Sequence, residues 1–212
     1  MRLAVFDMDG TLLDGRVIFA ISENWGFKDK VVSIMNSELE EYRQSEKIAE
    51  LLKGLSVYEV LSVIKSIPLV EGAEETVAEL KRRGWLLGII SDSYTLATGL
   101  LSDRLKMDFH VANQLEEKNG VLTGRVFMPL GWSESECECR RSVCKSYYLE
   151  FYARRYGIPI SQTVAIGDNT SDLCVLRKAG LGVAFNPKHP DLSKHADLTI
   201  TQPDLRELLK HL

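Results

Sequence analysis

Short apolar runs alternate with amphipathic stretches along most of this chain. "LAVF" (3–6), "WLLGII" (85–90), "TVAI" (163–166), "LGVAF" (181–185) and "DLTI" (197–200) are nearly continuous in apolar residues. That is the pattern of parallel strands covered on both faces. Between them, "GAEETVAELKRRG" (72–84), "SYYLEFYARRYG" (146–157) and "SDLCVLRKAG" (171–180) have helical periodicity. Gly84 suits the end of the first helix, where a left-handed residue closes the last turn. Strand–helix alternation with short connections predicts an α/β fold built on a doubly wound parallel sheet.

Two segments break the alternation. Residues 15–68 contain no strand-like run and read as helices in "RVIFAISENWG", "KDKVVSIMNSELEEYRQ", "SEKIAELLKG" and "SVYEVLSVIKS". Ser56 and Glu59 form a capping-box pattern at the last of these. In "FHVANQLEEKNGVLTGRVFM" (109–128), Asn119-Gly120 between strand-like flanks signals a hairpin. The organisation expected is a core of residues 1–14 and 70–212, with a helical cap over 15–69.

Ligands of open α/β sheets bind beyond the carboxyl ends of the strands, so the residues just past each run are informative. "RLAVFDMDGTLLDG" ends a buried strand on Asp7 and Asp9. Acidic side chains are seldom buried unless they are paired or hold a metal. "WLLGII" ends at Ser91-Asp92-Ser93, and "TVAI" at Gly167-Asp168-Asn169-Thr170-Ser171-Asp172. Three strands thus bring five acids and several hydroxyls to one rim.

Charge and composition narrow the classes. A net charge of −4 argues against a nucleic-acid binder held by bulk charge. No segment approaches the roughly 20 apolar residues of a membrane span, and "MRLAVFDMDG" has no signal-peptide h-region. A cytoplasmic location is the expectation; the oligomeric state is not legible. Cys137, Cys139, Cys144 and Cys174 are the four cysteines. The C-x-C-x4-C spacing of the first three lacks the paired C-x2-C of common zinc sites, so reduced thiols are expected rather than a metal cluster.

Clustered carboxylates repel one another unless a cation sits among them, and oxygen-only ligands favour Mg²⁺. Asp7 and Asp168 suffice for an ion that keeps waters and a phosphate in its shell. Phosphoryl transfer also needs cationic and hydroxyl donors, which Thr11, Ser91 and a lysine supply.

These residues match an ordered set of motifs. "DMDGTLL" resembles the first signature of the haloacid dehalogenase superfamily, "IIS" ending at Ser91 its second, and "GDNTSD" (167–172) its fourth. Lys145 fits the third, a lysine opening the helix before the last motif; Lys118 in the hairpin is its competitor. "EGAEETVAELKRRG", "NGVLTG", "QTVAIGD" and "RKAGLGVAF" resemble the phosphoserine phosphatase-like branch. The resemblance implies a Rossmann-like core, a helical cap between the first two motifs, and Mg²⁺-dependent hydrolysis of a small phosphomonoester, without nucleic-acid or membrane partners. It further implies that Asp7 is the nucleophile forming an aspartyl-phosphate and Asp9 the general acid and base. Ser91 and Lys145 would hold the phosphate. Asp7, Asp168, Asp172 and the backbone carbonyl of Asp9 would hold the metal.

The chain departs from that branch where the substrate's serine part would be gripped. Arg16 stands where a glutamate is expected, Ile48 where an arginine is expected, and Asp92-Ser93 where a glycine pair is expected. Arg16 or Arg43 would supply cationic substrate contacts instead, and the substrate is expected to differ from phosphoserine. The rival readings are a phosphotransferase using an alcohol acceptor, a true phosphoserine phosphatase, and a non-catalytic regulatory protein. Trp132, in the insert before Lys145, is either a packing anchor or a wall facing the substrate.

Overall fold

The computed structural model describes residues 1–130 and 137–212, so Trp132 lies outside the described residues. Seven strands form one sheet: β1 (Leu3–Phe6), β2 (Leu86–Tyr94), β3 (Phe109–Lys118), β4 (Val121–Phe127), β5 (Thr163–Gly167), β6 (Leu181–Phe185) and β7 (Leu198–Ile200). Their order is β4-β3-β2-β1-β5-β6-β7. All neighbours are parallel except β4, which runs back along β3. The registers Phe6↔Ile89 and Phe6↔Ile166 bring the ends of β1 and β5 level with Ile89 of β2, two residues before Ser91. The residues just past these strands therefore meet on one rim.

Each buried strand feeds two cores, because successive side chains point to opposite faces. Leu3 and Val5 pack with Leu149 of α7 (Lys145–Arg155), Val175 of α8 (Leu173–Lys178) and Leu192 of α9 (Pro190–His195). Ala4 and Phe6 pack on the other side with Leu80 of α5 (Ala73–Arg82) and Leu101 of α6 (Thr95–Leu105). The second core continues without a break into α1 (Val17–Asn24), α3 (Glu41–Leu51) and α4 (Val57–Ser66) through Ile21, Ala49, Leu52 and Val60. With α2 (Lys28–Met35), these helices occupy the chain between β1 and α5. No helix among the described residues is long and apolar enough to cross a membrane.

The hairpin forms on Asn119 and Gly120, both at positive φ (55° and 75°), as a tight two-residue turn requires. It is also bonded to the helical insert. Gly54 N–H donates to the Leu122 carbonyl, Leu122 N–H to Leu55, and Val57 N–H to Gly120, each at 2.9 Å. One departure from the sequence reading lies beside this contact: Ser56 precedes α4 but makes no side-chain cap. The Gly120 carbonyl takes the first helical N–H, that of Val57.

Two other differences concern β2 and α6. The strand continues past Ile90 to Tyr94, with an irregular register against β3 between those residues. Helix α6 went unread in the sequence. Its buried side mixes Thr98 and Ser102 with Ala97, Leu101 and Leu105, which blurs the apolar stripe.

Candidate active site

Beyond β1 the chain turns tightly through Met8–Leu13, with Gly10 at φ 85°. A Cβ on Gly10 would lie 2.2 Å from Asp168 Oδ2, so only glycine lets this turn close against the end of β5. A Cβ on Gly167 would likewise strike the Asp172 carboxylate, at 2.2 Å. Asp172 closes a 3₁₀ turn, Thr170–Asp172, where its Oδ2 accepts from the backbone N–H groups of Asp168 and Asn169 at 3.2 Å. Its other oxygen faces the lysine that opens α7.

That lysine is Lys145. Its Nζ donates to Asp7 Oδ1 and Asp172 Oδ1, both at 2.6 Å, and all three side chains are buried. Lys118 is exposed on the hairpin, so of the two candidate lysines only Lys145 reaches the carboxylates. Asp7, Asp168 and Asp172 each bring an oxygen within 4.8 Å of the others. Asp168 Oδ1 is buried without a hydrogen-bond partner.

The electrostatics reflect burial and crowding. Burial pushes Asp7 well above the usual carboxylate range; Lys145 opposes this and Asp172 adds to it. Burial and the Asp172 charge lift Asp168 to about 6. Burial lowers Lys145, but Asp172 and Asp7 outweigh it and hold the ammonium firmly protonated. Three oxygen donors, one of them orphaned, with two carboxyl groups raised chiefly by burial, suit a hard divalent cation. The Asp9 carboxylate is outside this group. Its Oδ1 accepts from Val17 N–H at 3.2 Å, at the start of α1. Burial raises Asp9 to about 7, against the pull of that N–H.

A cavity of about 300 Å³ opens above the carboxylates, with Asp7, Asp9 and Asp168 in its wall. Asp92 lines it too: burial pushes its carboxyl up, but Lys145, Arg141 and Arg16 together hold it below the usual range. Arg16 and Ile48 both face the cavity. Arg43 does not, which corrects the expectation of a substrate contact there. Glu41, Gln44, Ser45 and Ile48 form the cavity-facing side of α3 at helical spacing. Arg43 lies off that side, bonded to the Tyr42 hydroxyl at 3.0 Å and to Glu46 at 3.2 Å. Thr11 and Ser91 are fully buried and stand behind the wall rather than on it. The Thr11 hydroxyl has no partner, and Ser91 Oγ accepts from Ser93 N–H at 3.1 Å.

Arg141, like Glu41, is a cavity residue that the sequence reading missed. It pairs with Glu41 and lies 3.9 Å from Asp92. It belongs to an irregular segment whose spacing carries no periodic signal. Asn113 of β3 anchors that segment, its Nδ2 donating to the Asp92 carbonyl at 2.7 Å and to Ser142 Oγ at 2.8 Å.

The cysteines also depart from expectation. Cys137, Cys139, Cys144 and Cys174 converge until their sulfurs all lie within 4.8 Å of one another. No disulfide joins them. The spacing of the first three omitted the fourth, which α8 delivers.

Known proteins are similar to this chain along its length. Residues 4–177 match the family model of haloacid dehalogenase-like hydrolases. A phosphoserine phosphatase from Methanocaldococcus jannaschii is 37% identical over 215 residues, covering 100% of this chain and 97% of that protein. Another, from Streptomyces coelicolor, is 37% identical over 212 residues, but the 98% of this chain that aligns spans only 49% of it. A solved phospho-aspartyl intermediate analogue of phosphoserine phosphatase matches with a TM-score of 0.87 at 35% identity, covering 100% of this chain and 98% of that one. Matched by such enzymes along its whole length, the chain belongs to the haloacid dehalogenase-like hydrolases, in their phosphoserine phosphatase-like branch.

Proposed function

We propose that this phosphoric monoester hydrolase uses Mg²⁺ and acts on a small phosphomonoester other than L-phosphoserine. Residues 15–69 form its cap over a core of residues 1–14 and 70–212. The observation that carries the catalytic reading is the Lys145 ammonium held at 2.6 Å from both Asp7 and Asp172 beneath the cavity. An attacking carboxylate must be fixed in one orientation, and that contact does so while the ammonium charge opposes the upward push of burial.

Asp7 attacks phosphorus in line, the ester P–O bond breaks, and Asp9 gives its proton to the leaving oxygen. A water then attacks the aspartyl-phosphate, Asp9 takes the water's proton, and inorganic phosphate leaves with Asp7 restored. A carboxyl group near 7 exists in both forms at neutral pH, as this exchange of roles needs. Asp7, Asp168, Asp172 and the Asp9 backbone carbonyl would hold the Mg²⁺. When bound, the ion supplies positive charge against the charge that develops on the phosphoryl oxygens.

The substrate reading rests on the cavity wall. Ile48 cannot pair with a substrate carboxylate, and Arg16 repels an ammonium group. A buried charge left unpaired costs several kcal/mol. One observation favours the rival, a true phosphoserine phosphatase: Glu41 and Arg141 line the cavity with opposite charges. They already satisfy each other, however, and a substrate would have to part them. The test is kcat/KM for phosphoserine beside sugar, nucleotide and small-alcohol phosphates. Phosphoserine is expected to trail the best ester by about tenfold or more. If it leads, the rival stands. Product formation that requires an alcohol acceptor would make the chain a phosphotransferase.

A further inference from the structure

We infer that Cys137, Cys139, Cys144 and Cys174 form a structural zinc site that binds one Zn²⁺ through four thiolates. The inference is independent of the phosphatase reading.

The four sulfurs gather around one point, no two more than 4.8 Å apart. A tetrahedral ion with bonds of about 2.3 Å sets sulfurs about 3.8 Å apart. Closing the cluster on such an ion moves each sulfur inward by about 0.6 Å at most, within the play of a χ1 rotation. A multinuclear iron–sulfur cluster, with bridging sulfides between its thiolates, needs a wider cage. The all-sulfur donor set selects zinc over the hard cation suited to the carboxylates nearby.

The surroundings fit a thiolate site as well. The Ser146 hydroxyl lies 3.3 Å from Cys144 Sγ. Donors aimed at sulfur stabilise the charged form and orient it, the usual surroundings of a metal-bound thiolate. Cys144 is buried and the other three are partly covered, so the ion would be shielded with no coordination position left for substrate. Binding expels the four thiol protons to solvent, leaving a ZnS₄ unit of net charge −2.

The site has a structural use. Cys137 and Cys139 lie in an irregular segment with little regular hydrogen bonding. Cys144 precedes Lys145 at the start of α7, and Cys174 is the second residue of α8. One ion would tie the segment to both helices, where few apolar side chains hold it down.

The test is metal analysis of the full chain, purified without chelator, together with thiol titration. One zinc per chain is expected, with the four thiols slow to react until a strong chelator removes the ion. In Cys174→Ser the zinc should be lost or fall well below one per chain. Should that variant fail to fold, cobalt exchange into the native chain serves alone. Co²⁺ held by four thiolates gives intense visible d–d bands and near-ultraviolet sulfur-to-metal charge transfer. Four fast-reacting thiols with no bound ion after zinc reconstitution, iron in place of zinc, a disulfide among the four, or a Co²⁺ spectrum of octahedral oxygen ligation would each overturn the inference.

Discussion

Two four-residue clusters among the described residues are built differently. Asp7, Asp168, Asp172 and Lys145 form a set of oxygens around an ammonium; Cys137, Cys139, Cys144 and Cys174 form a set of sulfurs. They share chain segments: Cys144 precedes Lys145, and Cys174 comes after Asp172 with one residue between them. The oxygen set hangs on the ends of β1 and β5, whose register fixes it before any side chain is placed. The sulfur set depends on an irregular segment that the sheet does not template. A site delivered by regular elements can remain charged and strained, because the scaffold holds it. A site delivered by a loop must help to hold the loop.

The largest test of that contrast is removal of metal. A brief chelator treatment should abolish phosphatase activity, and Mg²⁺ should restore it, because Mg²⁺ keeps several waters and is held loosely. Ca²⁺ should restore little, since it prefers looser, higher coordination. Zinc measured in the same samples should remain bound. Activity that stays lost until zinc is returned would make the sulfur set part of the chemistry and break the comparison.

Next comes Asp7→Asn, which keeps size but removes the attacking charge. Turnover should fall by about a thousandfold or more, with zinc content unchanged. Asp9→Asn should cost most on alkyl phosphates, whose leaving oxygen needs a proton, and least on aryl phosphates. Equal losses on both esters would make Asp9 a helix-capping residue for α1 and nothing more.

These predictions stand on residues that the sequence exposed, and the reason is topological. Parallel strands read as apolar runs, so an acid at the end of a run is conspicuous. Asp7, Asp92 and Asp168 were legible for that reason, and Asp172 through the turn after β5. Arg141 and Glu41 were not, because the cavity joins an irregular segment to a helix a hundred residues away. Cys174 was missed similarly: its neighbours on the chain are helical, and only the packing of α7 on α8 brings it to the others. Helix α6 escaped because hydroxyls share its buried face.

A smaller effect probes the cap side of the cavity. Ile48→Arg with Arg16→Glu installs the charges that the resemblance to the phosphoserine phosphatase-like branch implies. If the native wall is what disfavours phosphoserine, the double variant should raise kcat/KM for it by about tenfold relative to the best native ester. No change in that ratio would shift the specificity to Glu41 and Arg141.

The smallest effect belongs to Arg43→Ala. Its partners are the buried Tyr42 and the half-buried Glu46, neither of them in the cavity wall. Loss of these contacts leaves the site untouched, so kcat/KM should stay within about twofold of native. A clear rise in KM would return Arg43 to the cavity.

The three hydrogen bonds between the hairpin and the segment joining α3 to α4 have a mechanical consequence. The insert's two covalent crossings run side by side, with Asp14 N–H donating to Pro68 O and Val70 N–H to Leu12 O, both at 2.9 Å. A plate attached only there would swing like a door. The hairpin adds a latch away from the hinge line, so rigid rotation must break the Gly54, Leu122 and Val57 bonds together. Those amides can trade their protons for deuterium only while the latch is undone. Slow exchange at all three in the resting enzyme is the expected sign that the hairpin holds the insert in place.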